Sequence, residues 1–175
     1  MKLKLFLASI ALCFTAPLYT STVKTGPAVN IKRYSGTWYE IASFPTFFQR
    51  NCFCTTATYS VKSSYLGVFN ECRKDSPDGE VSSIHGKAFV VPNSRNTKLK
   101  VQFFWPFKAD YWILYHDPKY QYAVVGNPSR EYLWILARNP RISARAWREL
   151  TAIANKQGFD IKQLNRTTQS CYEKK

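Results

Sequence analysis

The stretch Gly36-Thr37-Trp38-Tyr39-Glu40 opens the first of eight short apolar segments, and Trp134-Ile135-Leu136-Ala137-Arg138 closes the last of them. Each segment is rich in Val, Ile, Thr, Tyr, Phe or Trp, which is the composition of half-buried β-strands. Turn-forming pairs such as Asp78-Gly79 and Asp117-Pro118 separate them. We therefore predict eight consecutive strands. They span residues 36–44, 54–61, 68–73, 86–91, 99–105, 111–115, 122–126 and 132–138.

A single helix is predicted after the strands, over residues 143–156. Ser143 is placed to cap its N-terminus, Leu150 and Ile153 fall on one apolar face, and Gly158 supplies a stop. Eight regularly spaced strands followed by one helix predict an all-β fold, an eight-stranded antiparallel up-and-down barrel with one C-terminal α-helix. An immunoglobulin-like sandwich is the rival architecture, but it has no need of the late helix.

The N-terminal segment has the pattern of an export signal. Lys2 and Lys4 precede an apolar run over residues 5–14, which has the length of a signal-peptide core and is too short to cross a bilayer. We predict a signal peptide over residues 1–21 and one folded domain over residues 22–175. The cleavage point itself is not marked by a clean small-residue motif.

Cys13 lies inside this signal segment and allows a second interpretation, in which it is lipidated and becomes the mature N-terminus. A bacterial lipidation signal has a small residue before the cysteine, whereas this chain has Leu12. Under either interpretation the chain is exported. We expect it in the periplasm or outer membrane of a bacterium, or secreted if the source is eukaryotic.

Four cysteines remain after removal of the signal segment. They are Cys52, Cys54, Cys72 and Cys171. An even number in an exported chain predicts disulfide bonds, and four cysteines allow three pairings. No metal or cofactor is expected, because Cys52 and Cys54 are spaced too tightly for a zinc site and the chain has only two histidines.

The two framing motifs resemble those of the lipocalin family. Residues 117–123, Asp-Pro-Lys-Tyr-Gln-Tyr-Ala, resemble the family's middle motif, and the helix follows Arg138 as it does in that family. The resemblance covers residues 30–172. Residues 34–42 and 103–107 are similar to the bacterial outer-membrane lipocalins and the apolipoprotein D group. The resemblance implies that the predicted barrel is a lipocalin barrel.

The same resemblance implies structural roles for specific residues. In lipocalins the tryptophan of the first strand closes one end of the barrel, and the arginine after the last strand lies over its indole, a cation–π contact of about 1–2 kcal/mol. Trp38 and Arg138 match these positions, so we expect them to serve folding and not ligand binding. The resemblance also implies a disulfide between the second strand and the C-terminal tail, Cys54–Cys171. Cys52–Cys72 would then be the second bond.

Alternation of side chains along each strand predicts which residues face the interior. Three features decide which of the alternating positions point inward: an inward Trp38, an inward Arg138 and the strict alternation of Leu99-Lys100-Val101-Gln102-Phe103. An eight-stranded barrel has room for one small ligand, and this mixture of small and aromatic residues predicts an apolar, elongated cavity. The predicted ligand-binding residues on its wall are Ala42, Ala57, Tyr59, Val101, Phe103, Tyr111, Ile113, Tyr132 and Trp134.

Strand direction places the loops after strands one, three, five and seven at the mouth of the barrel. Phe47, Phe48 and Phe107 are expected to form an apolar rim there, with Lys108 and Arg130 as contacts for an anionic head group. A fatty acid or a lysophospholipid matches this pattern. Each buried methylene contributes about 0.8 kcal/mol and each exposed charge pair only about 0–1 kcal/mol, so affinity should come from the tail.

Other functional classes fit the chain less well. Catalysis is not expected, because no catalytic motif is present and Glu40 is the single carboxylate predicted to face inward, where we expect it to bond to neighbouring hydroxyls. The formal net charge is +14, or +12 without Lys2 and Lys4, which suits nucleic acid, but an export signal argues against that partner. A membrane surface remains a second partner.

The predicted function is therefore non-enzymatic. We expect binding and transport or storage of small hydrophobic ligands, fatty acids or lysophospholipids above all, in the cell envelope by a monomer or weak homodimer. A carrier of pigment, haem or retinoid is one alternative. A basic protein that binds membrane surfaces is the other.

Overall fold

The computed structural model describes residues 22–172, so the predicted signal peptide and Cys13 lie outside the described residues. Eight antiparallel strands form the body of the molecule, and each overlaps one of the predicted strands. They are β1 (Gly36–Ser43), β2 (Cys52–Val61), β3 (Leu66–Lys74), β4 (Val81–Val90), β5 (Lys98–Gln102), β6 (Ala109–His116), β7 (Tyr122–Gly126) and β8 (Leu133–Ala137).

The strands close into a barrel because β1 pairs with both β2 and β8. Gly36 lies opposite Tyr59 on β2, and Tyr39 lies opposite Ala137 on β8. Between these contacts each strand pairs with the next one along the chain. A short strand, β9 (Asn165–Arg166), adds to the end of β1. The predicted fold class is confirmed, and closure removes the exposed edges that an open sheet would leave.

The long helix packs on the outer surface of the barrel, whereas the short one lies at its closed end. The long helix α2 (Ala144–Lys156) begins after Ser143, whose Oγ accepts a hydrogen bond from the Ala146 amide, as predicted. A four-residue helix, α1 (Ile31–Tyr34), precedes the first strand and was not predicted. Neither these helices nor the 3₁₀ turns within residues 22–172 are long and apolar enough to cross a membrane.

Two buried clusters stabilise this arrangement. One fills the closed end inside the barrel around Trp38, which is fully buried, together with Val125 and Leu136. The other lies between the outer surface of the barrel and α2, where Leu150 and Phe159 pack against the sheet. The open end of the barrel is thus the part of the interior that side chains do not fill.

Arg138 holds the closed end together. Its guanidinium carbon lies 3.8 Å from the ring centroid of Trp38. Its N–H groups donate to the carbonyl oxygens of Thr37 and Ser35, at 2.6 and 2.8 Å, and to those of Arg33 and Tyr34 at 3.0 Å. One cation therefore satisfies four carbonyl groups where α1 leads into β1, so its role in this geometry is structural.

Two disulfides fasten the second strand. The structure joins Cys54 to Cys171 and Cys52 to Cys72, the same pairs that the family resemblance implies. Cys54 lies in an interruption of the β2–β3 register and has a left-handed backbone, with φ of 55°. Its amide donates to the Thr168 carbonyl at 2.8 Å. The C-terminal tail is therefore held beside the barrel by this hydrogen bond and by the Cys54–Cys171 disulfide.

Candidate ligand-binding cavity

A cavity of about 560 Å³ occupies the open half of the barrel, within the range of small-molecule binding sites. Aromatic and aliphatic side chains form most of its wall. Of the residues predicted to face a ligand, those on the wall are Ala57, Tyr59, Val101, Phe103, Tyr111, Tyr132 and Trp134. For β2, β5, β8 and the start of β6, strand alternation thus predicts the same inward-facing residues that the structure has.

Ala42 does not line the cavity, and the prediction that it does is wrong. The β1–β8 register moves from Glu40 opposite Leu136 to Ala42 opposite Ile135, so Ile41 is one extra residue in β1. Such a β-bulge reverses the alternation beyond it. Because Ile135 belongs to the cluster under α2, Ala42 shares its outward face.

Ile113 was also predicted on the wall, and this too is wrong. Ile113 points into the barrel but is fully buried in the cluster around Trp38, below the cavity. A second bulge at Leu114 follows it, because Ile113 lies opposite Val125 while Tyr115 lies opposite the adjacent Val124. The strand β6 therefore contributes to the cavity wall only at its N-terminal end.

The two predicted head-group contacts lie elsewhere as well. Lys108 lies with its Nζ 4.4 Å from the centroid of Phe89, a ring on the outer surface of the barrel. Arg130 donates from Nε to the Gln157 carbonyl at 2.8 Å, at the C-terminal end of α2. A cation is favoured there by the helix dipole, which explains why Arg130 points away from the mouth.

Lys74 occupies the position that Lys108 and Arg130 were expected to fill. Among the described residues it is the one lysine or arginine on the cavity wall. It lies at the end of β3 opposite Cys52, and its Nζ donates to the Arg50 carbonyl at 3.1 Å. An ammonium group is thus held at the mouth, where it can pair with an anionic head group.

A hydrogen-bonded chain connects the wall to the mouth. Trp134 donates from Nε1 to Oε1 of Gln49 at 3.2 Å, and Gln49 donates from Nε2 to Oε2 of Glu40 at 2.8 Å. The other oxygen of the buried Glu40 accepts from Ser43 at 3.0 Å and from Thr167 at 2.6 Å. Glu40 is therefore satisfied by neutral donors, the arrangement that the sequence favoured, whereas nothing in the sequence singled out Gln49.

Glu40 and Gln49 also separate the cavity from a second hollow of about 490 Å³. This hollow lies between the β1–β2 connection and the strand β9, and residues 44–53 form most of its lining. Because both spaces share Glu40 and Gln49, their hydrogen bond acts as a partition. It keeps this hollow, whose lining is about equally polar and apolar, apart from the mainly apolar barrel interior.

Three tyrosines meet at the floor of the cavity. The Tyr59 hydroxyl donates to that of Tyr111 at 2.8 Å, and the hydroxyls of Tyr111 and Tyr34 also lie 2.8 Å apart. Burial raises the pKa of Tyr59 to about 12 and raises the pKa values of Tyr34 and Tyr111 well above the ordinary value of 10.0. All three hydroxyls therefore stay protonated at neutral pH, and the floor is polar but uncharged.

Five exposed aromatic residues surround the mouth and form what we term the aromatic rim. Phe47 and Phe48 lie in the β1–β2 connection, and the others lie between β5 and β6. Every member is more than half exposed, with Trp105 at 86% and Phe107 at 77%. Phe47, Phe48 and Phe107 were predicted there. The rim comprises Phe47, Phe48, Phe104, Trp105 and Phe107.

Comparison with known proteins places this geometry in a family. A model of the lipocalin-like domain matches residues 29–169. Temperature-induced lipocalin-1 from Arabidopsis thaliana is 40% identical over 151 residues, covering 81% of this chain and 80% of that protein. The outer membrane lipoprotein Blc of Escherichia coli is 42% identical over 134 residues and 75% of each chain. Mouse apolipoprotein D is 34% identical over 151 residues, covering 81% of this chain and 77% of that protein.

Solved structures agree on the fold. Insecticyanin from the tobacco hornworm superposes with a TM-score of 0.68 over 87% of each chain, at 18% identity. Lobster apocrustacyanin A1 gives a TM-score of 0.63 over 83% of this chain and 89% of that chain, also at 18% identity. At this level of identity the likeness concerns the barrel and its helix and not the ligand.

Proposed function

The chain belongs to the lipocalin family, and from that premise we propose that its barrel binds a fatty acid or a lysophospholipid and carries or stores it in the cell envelope. Lipocalins bind small hydrophobic ligands and are typically binding and transport proteins. The observation that carries the proposal is the cavity, which has a volume of about 560 Å³ and a mainly apolar wall. Among the described residues, Lys74 at the mouth is the one lysine or arginine on that wall.

The ligand enters with its hydrocarbon tail towards the tyrosine floor. Each buried methylene contributes about 0.8 kcal/mol, so a long chain supplies most of the affinity. The anionic head then lies near Lys74 at the mouth, where solvent limits an ion pair to about 0–1 kcal/mol. Lys74 thus orients the ligand more than it holds it.

Loading and unloading take place at a membrane surface. The aromatic rim supports this proposal, because exposed Trp and Phe side chains insert into the boundary between headgroups and acyl chains. A formal net charge of +12 without the signal segment adds attraction to anionic headgroups. The rim surrounds the mouth, so contact through it aligns the cavity with the lipid layer.

Export completes the proposal. The N-terminal segment has the composition of a signal peptide, and the relatives include an outer membrane lipoprotein and an apolipoprotein. We place the mature protein in the periplasm or outer membrane of a bacterium, or outside a eukaryotic cell. Lipidation at Cys13 would give a membrane-anchored form of the same carrier.

Calorimetric titration of the mature protein with palmitic acid and with palmitoyl lysophosphatidylcholine tests the binding claim. One molecule per chain is expected, with little competition from haemin or retinol. Ala57→Trp fills the cavity and should abolish binding, whereas Ser60→Trp, on the exposed outer face of the same strand, should retain it. Tight binding of haemin or retinol, with no binding of either lipid, would overturn the proposal.

A further inference from the structure

The tyrosines at the cavity floor carry one more hydrogen-bond donor than they use. Each of the three hydroxyls has one proton, but they form only two hydrogen bonds among themselves. Tyr59 donates to Tyr111, and either Tyr34 or Tyr111 donates in the other bond. Whichever arrangement holds, one O–H group remains without an acceptor within the cluster.

Tyr111 is the member best placed to direct that spare proton at a ligand. It lines the cavity, whereas Tyr34 is buried beside Trp38 and does not. When Tyr34 donates to Tyr111, the Tyr111 oxygen accepts two hydrogen bonds and its own proton is available to the cavity. Accepting two bonds polarises a hydroxyl and strengthens it as a donor.

Asn70 supplies an unmatched acceptor on the same wall. It lies on β3 opposite Ala57, one inward position nearer the mouth than Val68, which lies opposite Tyr59. Its Oδ1 is buried and has no hydrogen-bond partner among the described residues. The upper part of the floor therefore holds a free donor at Tyr111 and, at Asn70, an unpartnered acceptor that the cavity reaches when the amide turns about its Cβ–Cγ bond.

A purely hydrocarbon tail would cover both groups and satisfy neither, and buried polar groups without partners are destabilising. We propose that the ligand carries an uncharged oxygen towards its buried end, as in a hydroxylated or oxo fatty acid. A hydroxyl group suits the site best, because it accepts from Tyr111 and has a proton to donate. This inference rests on the proposed lipid-binding function and narrows its ligand class.

The buried oxygen is uncharged because the floor holds no compensating charge. The tyrosines stay protonated, and the one lysine or arginine on the described cavity wall is Lys74, at the mouth. A carboxylate at the floor would lose its hydration and gain no cation, so the acidic end of the ligand belongs outside. The ligand thus has polar groups at both ends of its buried chain.

Matched fatty acids test this inference. Affinities of the mature protein are measured for palmitic acid against 16-hydroxyhexadecanoic acid, and for dodecanoic acid against 12-hydroxydodecanoic acid, so that two chain lengths probe the depth of the cavity. In at least one pair the hydroxylated acid is expected to bind at least as tightly as its parent. An unpartnered hydroxyl would instead weaken binding by about tenfold or more.

Variants identify the groups responsible. Tyr111→Phe and Asn70→Leu should each shift the affinity ratio about tenfold towards the unsubstituted acid, equivalent to about 1.4 kcal/mol. Tyr65→Phe removes a hydroxyl on the outer surface, beside Phe89, and should leave the ratio unchanged. Circular dichroism and melting temperature establish that each variant is folded.

The possible outcomes distinguish a failure of this inference from a failure of the proposed lipid-binding function. If both parent acids bind tighter than their hydroxylated forms, and the variants leave the ratio unchanged, bound water satisfies Tyr111 and Asn70 and the inference is wrong while lipid binding stands. If none of the four acids binds, the proposed function fails and the inference fails with it.

Discussion

Trp134 on the cavity wall donates its indole N–H to Gln49 at the mouth, across 3.2 Å. Gln49 donates in turn to the buried Glu40, so one amide side chain links the ligand-facing wall to a carboxylate at the end of β1. The segment that carries Phe47 and Phe48 is thereby fixed over the barrel. Its position therefore depends on Trp134, a residue of the cavity wall.

Replacing Gln49 should loosen this end of the barrel. Gln49→Ala removes one of the three donors to the buried Glu40 and leaves the Trp134 N–H unpaired, so we expect the free energy of unfolding to fall by about 1–3 kcal/mol. Urea denaturation measures the change. Phe47→Ala, in the same turn but exposed, should alter stability by less than about 0.5 kcal/mol. Equal effects of the two substitutions would contradict a stabilising role for the hydrogen bonds that Gln49 forms with Trp134 and Glu40.

Trp134 should carry much of the affinity for a lipid tail. Trp134→Ala is expected to weaken palmitic acid binding more than tenfold, a loss above about 1.4 kcal/mol, while the barrel still folds. Trp112 offers a matched control, because its ring packs on the outer side of the barrel. If Trp112→Ala weakens binding as strongly as Trp134→Ala, the wall has been assigned incorrectly.

Arg138 should determine stability and leave ligand choice alone. Arg138→Ala removes the cation–π contact with Trp38 and the hydrogen bonds that its guanidinium donates to five carbonyl groups, so we expect a loss of about 2–4 kcal/mol and a lower melting temperature. Calorimetry measures this. The order of affinities for a panel of lipids should remain as in the wild type, and a reordered panel would mean that the closed end helps to select the ligand.

Alkaline pH should destabilise the fold through the floor tyrosines. The pKa of Tyr59 is about 12 in the folded protein, against 10.0 in an unfolded chain, so the folded state binds more protons between these values. Its contribution to stability is complete below pH 10 and is lost as pH rises towards 12. Tyr59→Phe should reduce the slope of unfolding free energy against pH in this range by about 1.4 kcal/mol per pH unit. An unchanged slope in denaturation curves would show that Tyr59 ionises freely.

The aromatic rim should control membrane contact without changing the cavity. The double variant Trp105→Ser, Phe107→Ser removes the two most exposed aromatic side chains of the rim. We expect at least a tenfold loss in binding to vesicles of anionic phospholipid in a sedimentation assay, with palmitic acid affinity retained. Val61→Ser, an exposed apolar residue at the end of β2, is the control. Equal losses in the variant and the control would attribute vesicle binding to general charge.

The parts of the molecule that the sequence predicted well depend on local patterns. Strict alternation identified Val101 and Phe103 as inward residues, and Ser143 with Gly158 bounded the helix. The misplaced residues depend on features without a local signal. An extra residue at Ile41 reverses the face of Ala42, and no composition cue marks such a bulge.

Contacts between distant segments explain the remaining differences. Arg130 points to the end of α2 because Gln157 offers it a carbonyl acceptor 27 residues along the chain. The hydrogen bonds of Gln49 form because the fold brings the mouth segment beside β1 and β8, and no local pattern in the sequence indicates this contact. The spare donor at Tyr111 depends likewise on a meeting of three tyrosines from α1, β2 and β6.

The most direct test of lipid binding is native mass spectrometry of the mature protein purified from its own host, with the bound small molecules extracted and identified. We expect a fatty acid or a lysophospholipid at close to one molecule per chain. An empty barrel that also fails to take up added fatty acids, or a chain that carries haem or a pigment instead, would contradict the proposed lipid-binding function.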